Sequence, residues 1–146
     1  MKRDCTLVLL TLNEIDGLTM LWDEIPVHRF NTVLAVDGGS TDGTREFLES
    51  KGVPILDQSI PGRGVAFRVA AEASRDARIV YYSPDGNEDP LDIERLDDLL
   101  IEGNDLAIAS RFAVGSINEE TDWMRPRARV NPVSYTHLTL PTKNEV

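Results

Sequence analysis

Short continuous apolar runs alternate along this chain with stretches whose apolar residues recur every three or four positions. Thr6 to Leu12 is the first run and stops at Asn13-Glu14. Leu18, Leu21, Trp22 and Ile25 follow at helical spacing, and Pro26 ends that helix. Thr32 to Val36 is a second run. Ser40, Thr41 or Asp42 can cap the next helix, which turns Phe47 and Leu48 inward and ends at Gly52. Val53 to Leu56 predicts a short third strand. Pro61-Gly62-Arg63-Gly64 then opens a helix with Val65, Val69 and Ala73 as its apolar positions and Ala66 and Ala70 beside them. Arg78 to Tyr82 predicts a fourth strand and Ser83 to Asp89 a polar loop. Asp89-Pro90 fits an N-cap followed by a first helical residue, where proline is best tolerated. Ile93, Leu96, Leu99 and Leu100 mark that helix's face, Gly103-Asn104 ends it, and Leu106 to Ala109 predicts a fifth strand closed by Ser110-Arg111-Phe112.

Buried strands separated by single helices predict an α/β fold, a mostly parallel, doubly wound sheet with helices on both faces and right-handed crossovers. After Ala113 the periodicity fails. Trp123 to Val130, with Arg125, Arg127 and Arg129, can begin another helix. From Pro132 onward neither period is present. Pro132 to Thr142 resembles translated sequencing adapter; the other reading is a disordered tail. The expected organisation is therefore one domain over residues 1–131 and a non-native tail over 132–146, in which His137 carries no function.

Composition narrows the field. With 146 residues the chain suits one domain, and 41 % apolar residues suit a packed core. A formal charge of −10 argues against nucleic-acid partners, which call for basic surface. No apolar run reaches the roughly 18 residues of a membrane helix, and the basic start Met1-Lys2-Arg3 is broken by Asp4 and Asn13-Glu14, unlike a signal peptide. The lone Cys5 fits a reducing compartment and reads as a small buried hydrophobe. These features predict a cytoplasmic location, at the inner face of a membrane if a longer protein carries an anchor.

Polar groups gather at strand ends: Asn13 and Glu14 after the first, Asp37 after the second, Ser83 to Asp89 after the fourth, Ser110 and Arg111 after the fifth. In a parallel sheet these ends share one edge, where ligands bind. The run Val33-Leu34-Ala35-Val36-Asp37-Gly38-Gly39-Ser40-Thr41-Asp42-Gly43-Thr44 carries an acid to that edge and then turns sharply. An ionised Asp37 can only accept hydrogen bonds; its plainer role is a turn or capping acid. Arg63 opens a helix, and a guanidinium beside helix-end N–H groups suits an anion. The glycines here form neither a dinucleotide fingerprint, since Phe67 takes the third glycine position, nor a phosphate loop, since no lysine follows Gly43.

Thr11-Leu12-Asn13-Glu14, VDGGSTDGT, GRGVAFRVAAEAS, SPDGNEDP and ASRF agree in order and spacing with family 2 glycosyltransferases of the GT-A fold, and the chain resembles their polyprenyl-phosphate sugar synthases over Thr6 to Asn131. The resemblance implies a nucleotide-sugar donor bound by Thr11, Asn13, Glu14, Asp37, Gly39, Arg63, Ser83, Asp85 and Arg111, with Glu14 and Asp37 at the base or ribose. It implies magnesium or manganese on Asp85, the last acid of the family's Asp-x-Asp. Here Ser83 replaces the first acid of that motif, Leu10 and Leu12 replace a proline and an aromatic residue, and Gly38 stands where a second aspartate is common. The implied reaction is inverting transfer to a hydroxyl or a polyprenyl phosphate. Its base is drawn from a region after ASRF that this chain lacks, so the fragment is expected to bind donor without turnover. Two rival classes remain. A sugar-phosphate nucleotidyltransferase would place a glycine-rich loop with Arg or Lys where Leu12-Asn13-Glu14 stands. A non-catalytic nucleotide-sugar-binding module is favoured by Ser83.

Overall fold

The computed structural model describes residues 3–109. Contacts divide the chain into a unit ending at Asp97 and another beginning at Asp98. The first holds a four-stranded parallel sheet: β1 (Arg3–Thr11), β2 (Phe30–Asp37), β3 (Ile55–Asp57) and β4 (Arg78–Tyr82), in the order β3-β2-β1-β4. Register pairs Thr11 with Asp37, Asp37 with Asp57, and Leu9 with Tyr82. Helix α1 (Ile15–Leu21) follows β1 and tightens into a 3-10 turn, Trp22–Glu24, before Pro26. Helices α2 (Thr44–Ser50), α3 (Arg63–Ala73) and α4 (Pro90–Ile101) follow β2, β3 and β4.

The chain steps outward from β1 to β2 to β3, then crosses back to place β4 on the other side of β1. That reversal makes the carboxyl ends of β1 and β4 a topological switch point, where a crevice opens in such sheets. Alternation along β1 explains its continuous apolar run, since both faces are covered. Val8, Leu10, Leu34 and Val36 pack with Ala66 and Ala70 of α3, and Leu7, Leu9 and Ala35 on the opposite face are equally buried.

Several expectations change in detail. In α3 the innermost positions are Ala66 and Ala70, with Val65 and Val69 half-buried and Ala73 exposed; small side chains let the helix lie close to the sheet. In α4, Asp97 is fully buried while Leu99 is exposed. Asp97 lies between Arg29 and Arg78, 3.0 and 3.4 Å from their Nε atoms, at the amino ends of β2 and β4. Cys5 is buried as expected, and burial, with Asp97 nearby, pushes its thiol up to about 12. In the second unit, Gly103 at φ +105° and Asn104 close α4, the Asn104 backbone and side chain both donating to the Leu99 carbonyl. The strand expected at Leu106 to Ala109 does not form. Leu106 and Ile108 are exposed, so the short apolar run there is not a buried strand. Arg111, Ser110, Trp123 and the tail over residues 132–146 lie outside the described residues.

Candidate functional site

The site is built from two loops laced together. Asp37 ends β2 beside Thr11 and is 1 % exposed. Its carboxylate accepts from Thr11 Oγ1 (2.9 Å), Ser40 Oγ (2.6 Å), and the Gly39 and Ser40 backbone N–H groups (3.0 and 2.9 Å). Arg45 Nη1 adds a fifth donor at 3.2 Å and reaches Asp57 at 2.7 Å. Burial works to raise the Asp37 pKa, but the bonds from Ser40, Thr11 and Gly39 outweigh it and hold the carboxyl below the usual carboxylate range. Gly39 can donate because it sits at φ +104°, where a side chain is strained.

The same loop holds the chain after β1. Ser40 Oγ accepts from the Asn13 N–H (2.8 Å), Thr44 Oγ1 from Glu14 (2.9 Å) and Asp42 Oδ2 from Ile15 (3.1 Å). Asn13, left-handed at φ 55°, returns its side-chain oxygen to the Thr41 N–H (2.9 Å). Asp42 and Thr44 thus satisfy donors at the start of α1 that no residue of that helix caps. Asp42 also accepts from the Thr44 N–H and hydroxyl, but the N-cap of α2 is the left-handed Gly43 rather than Ser40, Thr41 or Asp42, because the turn at this point needs a positive φ.

An open cavity of about 290 Å3 lies at the switch point. Thr11 and, just after β1, Leu12 and Glu14 line it on one side, Ser83 and Asp85 from the loop after β4, and Pro61, Gly62, Arg63 and Ala66 from the turn before α3 and its first turn. Gly38 and Gln58 complete the wall, Gln58 Nε2 donating to the carbonyls of Ile60 and Gly62 at 2.8 and 2.7 Å. Thr11, Glu14, Arg63, Ser83 and Asp85 therefore line one cavity. Asp37, Asn13 and Gly39 do not line the cavity: they form the clasp behind its β1 side. The expectation that Asp37 faces a ribose does not fit, because five protein donors already occupy a carboxylate with about four lone-pair sites.

Two carboxylates and one guanidinium give the cavity its electrostatics. Burial first, then the charges of Asp85 and Asp42, raise the Glu14 pKa above its ordinary value. Asp85 is exposed, one oxygen accepting from the Asn87 N–H at 2.9 Å. Arg63 stands 3.4 Å from Glu88, whose other oxygen accepts from the Ser83 N–H at 2.8 Å. Tyr82 OH donates to the Glu88 carbonyl, and Asp89 caps α4 by accepting from the Leu91 N–H at 2.9 Å. Among the described residues no three acidic, histidine or cysteine side chains form a metal cluster. Glu14 and Asp85 are hard oxygen donors of the kind magnesium uses in ones or twos, with phosphate oxygens and water completing the shell. The residues present fit such an ion only when a phosphate ligand shares it.

Gln58, Asp42 and Thr44 were not anticipated as neighbours of the site. Asp42 and Thr44 carried a signal, lying in the motif with Asp37; Gln58 carried none.

Comparison with known proteins identifies the family. A curated glycosyltransferase, AglJ of Haloferax volcanii, is 38 % identical over 104 residues, 70 % of this chain and 34 % of its own length. Glucosyl-3-phosphoglycerate synthase from Mycobacterium tuberculosis, solved with UDP, is 26 % identical with a TM-score of 0.61 over 69 % of this chain and 41 % of that one. The same enzyme solved with Mn2+, UDP and glucosyl-3-phosphoglycerate gives the same TM-score over 40 % of its chain. This chain thus spans about a third of the curated relative and two fifths of the solved ones. The model of glycosyl transferase family 2 matches residues 7–145, and the chain belongs to that family.

Proposed function

We propose that this chain forms the donor-binding part of a transferase that takes a sugar from a nucleoside-diphosphate sugar. One observation carries the reading: Glu14, Asp85 and Arg63, from three elements, line a single cavity at the switch point of a parallel sheet. Leu10, Leu12, Val36 and Ala66 give it an apolar wall suited to a base. Arg63 and the amino end of α3 suit the diphosphate. Asp85 and Glu14 would hold a magnesium or manganese ion shared with that diphosphate, and such an ion, when bound, stabilises the charge of the leaving group. Arg63 leaves Glu88 to meet the phosphates. Asp37 acts at one remove, by ordering the loop that fixes Glu14. The transfer breaks the bond from the anomeric carbon to the diphosphate oxygen as an acceptor oxygen attacks, with inversion.

The acceptor we propose is a polyprenyl phosphate at the cytoplasmic face of a membrane. Label transferred from donor to that lipid by the longer protein supports it, and label found only on phosphoglycerate overturns it.

The donor reading is tested by calorimetry of UDP- and GDP-sugars, with and without manganese, on the chain and its Asp85→Ala variant. The expected result is metal-assisted binding that the substitution weakens. Identical affinities for both proteins in both conditions remove Asp85 from the site.

A further inference from the structure

We propose that Gly17 is a positioning residue for Asp85: its lack of a side chain sets the spacing between Glu14 and the turn bearing Asp85. The inference rests on the reading of Asp85 given above. Glycine in a helix interior costs about 1 kcal/mol relative to alanine, yet Gly17 sits within the seven residues of α1. A Cβ there would lie 1.8 Å from the Pro84 carbonyl oxygen, 2.9 Å from its carbon and 3.5 Å from Asp85 Cα. Real Cβ contacts stay beyond 3.0 Å, and all three atoms are backbone, so no rotamer change relieves the clash.

Both sides are tied down. Pro84 is fully buried, the Ser83 N–H is tied to Glu88, Tyr82 OH holds the Glu88 carbonyl, and the Asp85 carboxylate holds the Asn87 N–H. On the other side, the Glu14 and Ile15 N–H groups are anchored by Thr44 and Asp42. A side chain at Gly17 therefore displaces the turn bearing Asp85 or moves α1 and Glu14 with it. Either movement changes the distance between the two carboxylates that would share one cation. A misplacement near 1 Å can cost on the order of 100-fold where geometry is demanding.

The test is a cycle of Gly17→Ala and Pro84→Gly, read by UDP titration with and without manganese and by thermal melting. In the unsubstituted chain manganese raises UDP affinity; without that gain the Asp85 reading fails, and this inference with it. Given the gain, Gly17→Ala is expected to reduce it about tenfold or more while metal-free UDP affinity stays near its starting value. With Pro84→Gly, whose freed carbonyl can turn aside, the effect of Gly17→Ala shrinks, because contacting residues couple. If Gly17→Ala alone does not fold, recovery of folding with Pro84→Gly supports the contact. Additive effects, an unchanged manganese gain in folded Gly17→Ala, equal loss with and without metal, or unfolding in both backgrounds overturns the proposal. Met20→Ala, on the exposed side of α1, serves as the silent control.

Discussion

Replacing Asp37 with alanine separates a structural carboxylate from a ligand-binding one. The side chain is completely buried and accepts from two hydroxyls, two backbone N–H groups and one guanidinium. Hydrogen bonds to a charged acceptor are worth about 1.5–3 kcal/mol each, and the donors left behind carry their own desolvation cost. They are not additive, because water can enter the loop once the carboxylate is gone. Removing one partner of a buried charged pair costs about 3–5 kcal/mol, and that is the expected loss. Domains of this size hold about 5–15 kcal/mol in all, so the variant should be marginal. Urea denaturation measures the loss, and UDP titration of the surviving folded fraction measures the rest. Thr11→Val, which deletes a single donor to the charged Asp37, should cost about 1.5–3 kcal/mol. The pH dependence fixes the sign. The folded pKa of Asp37 lies below its unfolded value, so its stabilisation is present above about pH 3.9 and fades as pH falls through the folded value. The gap between the protein and Asp37→Asn should therefore close in acid. An Asp37→Ala variant within 1 kcal/mol of the parent that has lost UDP binding would refute the reasoning and restore Asp37 as a direct contact.

Two more substitutions test other parts of the same picture. Glu14 has a raised folded pKa, so its charge opposes folding as pH rises through that value, and Glu14→Gln should gain stability relative to the parent at neutral pH but not in acid, as followed by thermal melting. The same substitution should weaken manganese-assisted UDP binding. Asp97→Ala leaves Arg29 and Arg78 without their buried partner and should cost about 3–5 kcal/mol in denaturant while UDP affinity in the folded protein holds, because the network sits at the opposite edge of the sheet. Lost affinity in a stable Asp97→Ala protein counts against that separation.

Local chemistry was legible wherever it depended on neighbours in sequence. Asp89 caps α4 beside Pro90, β4 spans the residues its pattern indicates, and Gly103-Asn104 closes the helix. Asp37 was placed correctly at a strand end, but its partners were not. Whether that carboxylate faces a ligand or its own loop depends on the left-handed turn at Gly39 and on Thr11 in the adjacent strand, which register alone decides. The closeness of Gly17 to Pro84 is invisible in sequence because it arises between two elements far apart along the chain. Leu106 to Ala109 shows the converse limit: a short apolar run alone does not make a strand.

The two walls of the cavity are built with unequal rigidity. On the β1 side, successive amides from Asn13 to Ile15 are each fastened by a side chain of the Ser40–Thr44 loop, so that wall is held by the protein's own contacts. On the α3 side, Arg63 is parked on Glu88 in a solvent-accessible ion pair worth at most about 1 kcal/mol. An incoming anion therefore meets a fixed template on one flank and a weak, exchangeable latch on the other. Encounter should be fast and insensitive to substitutions in the fixed flank that preserve folding, while residence time follows the arginine and whatever competes for it.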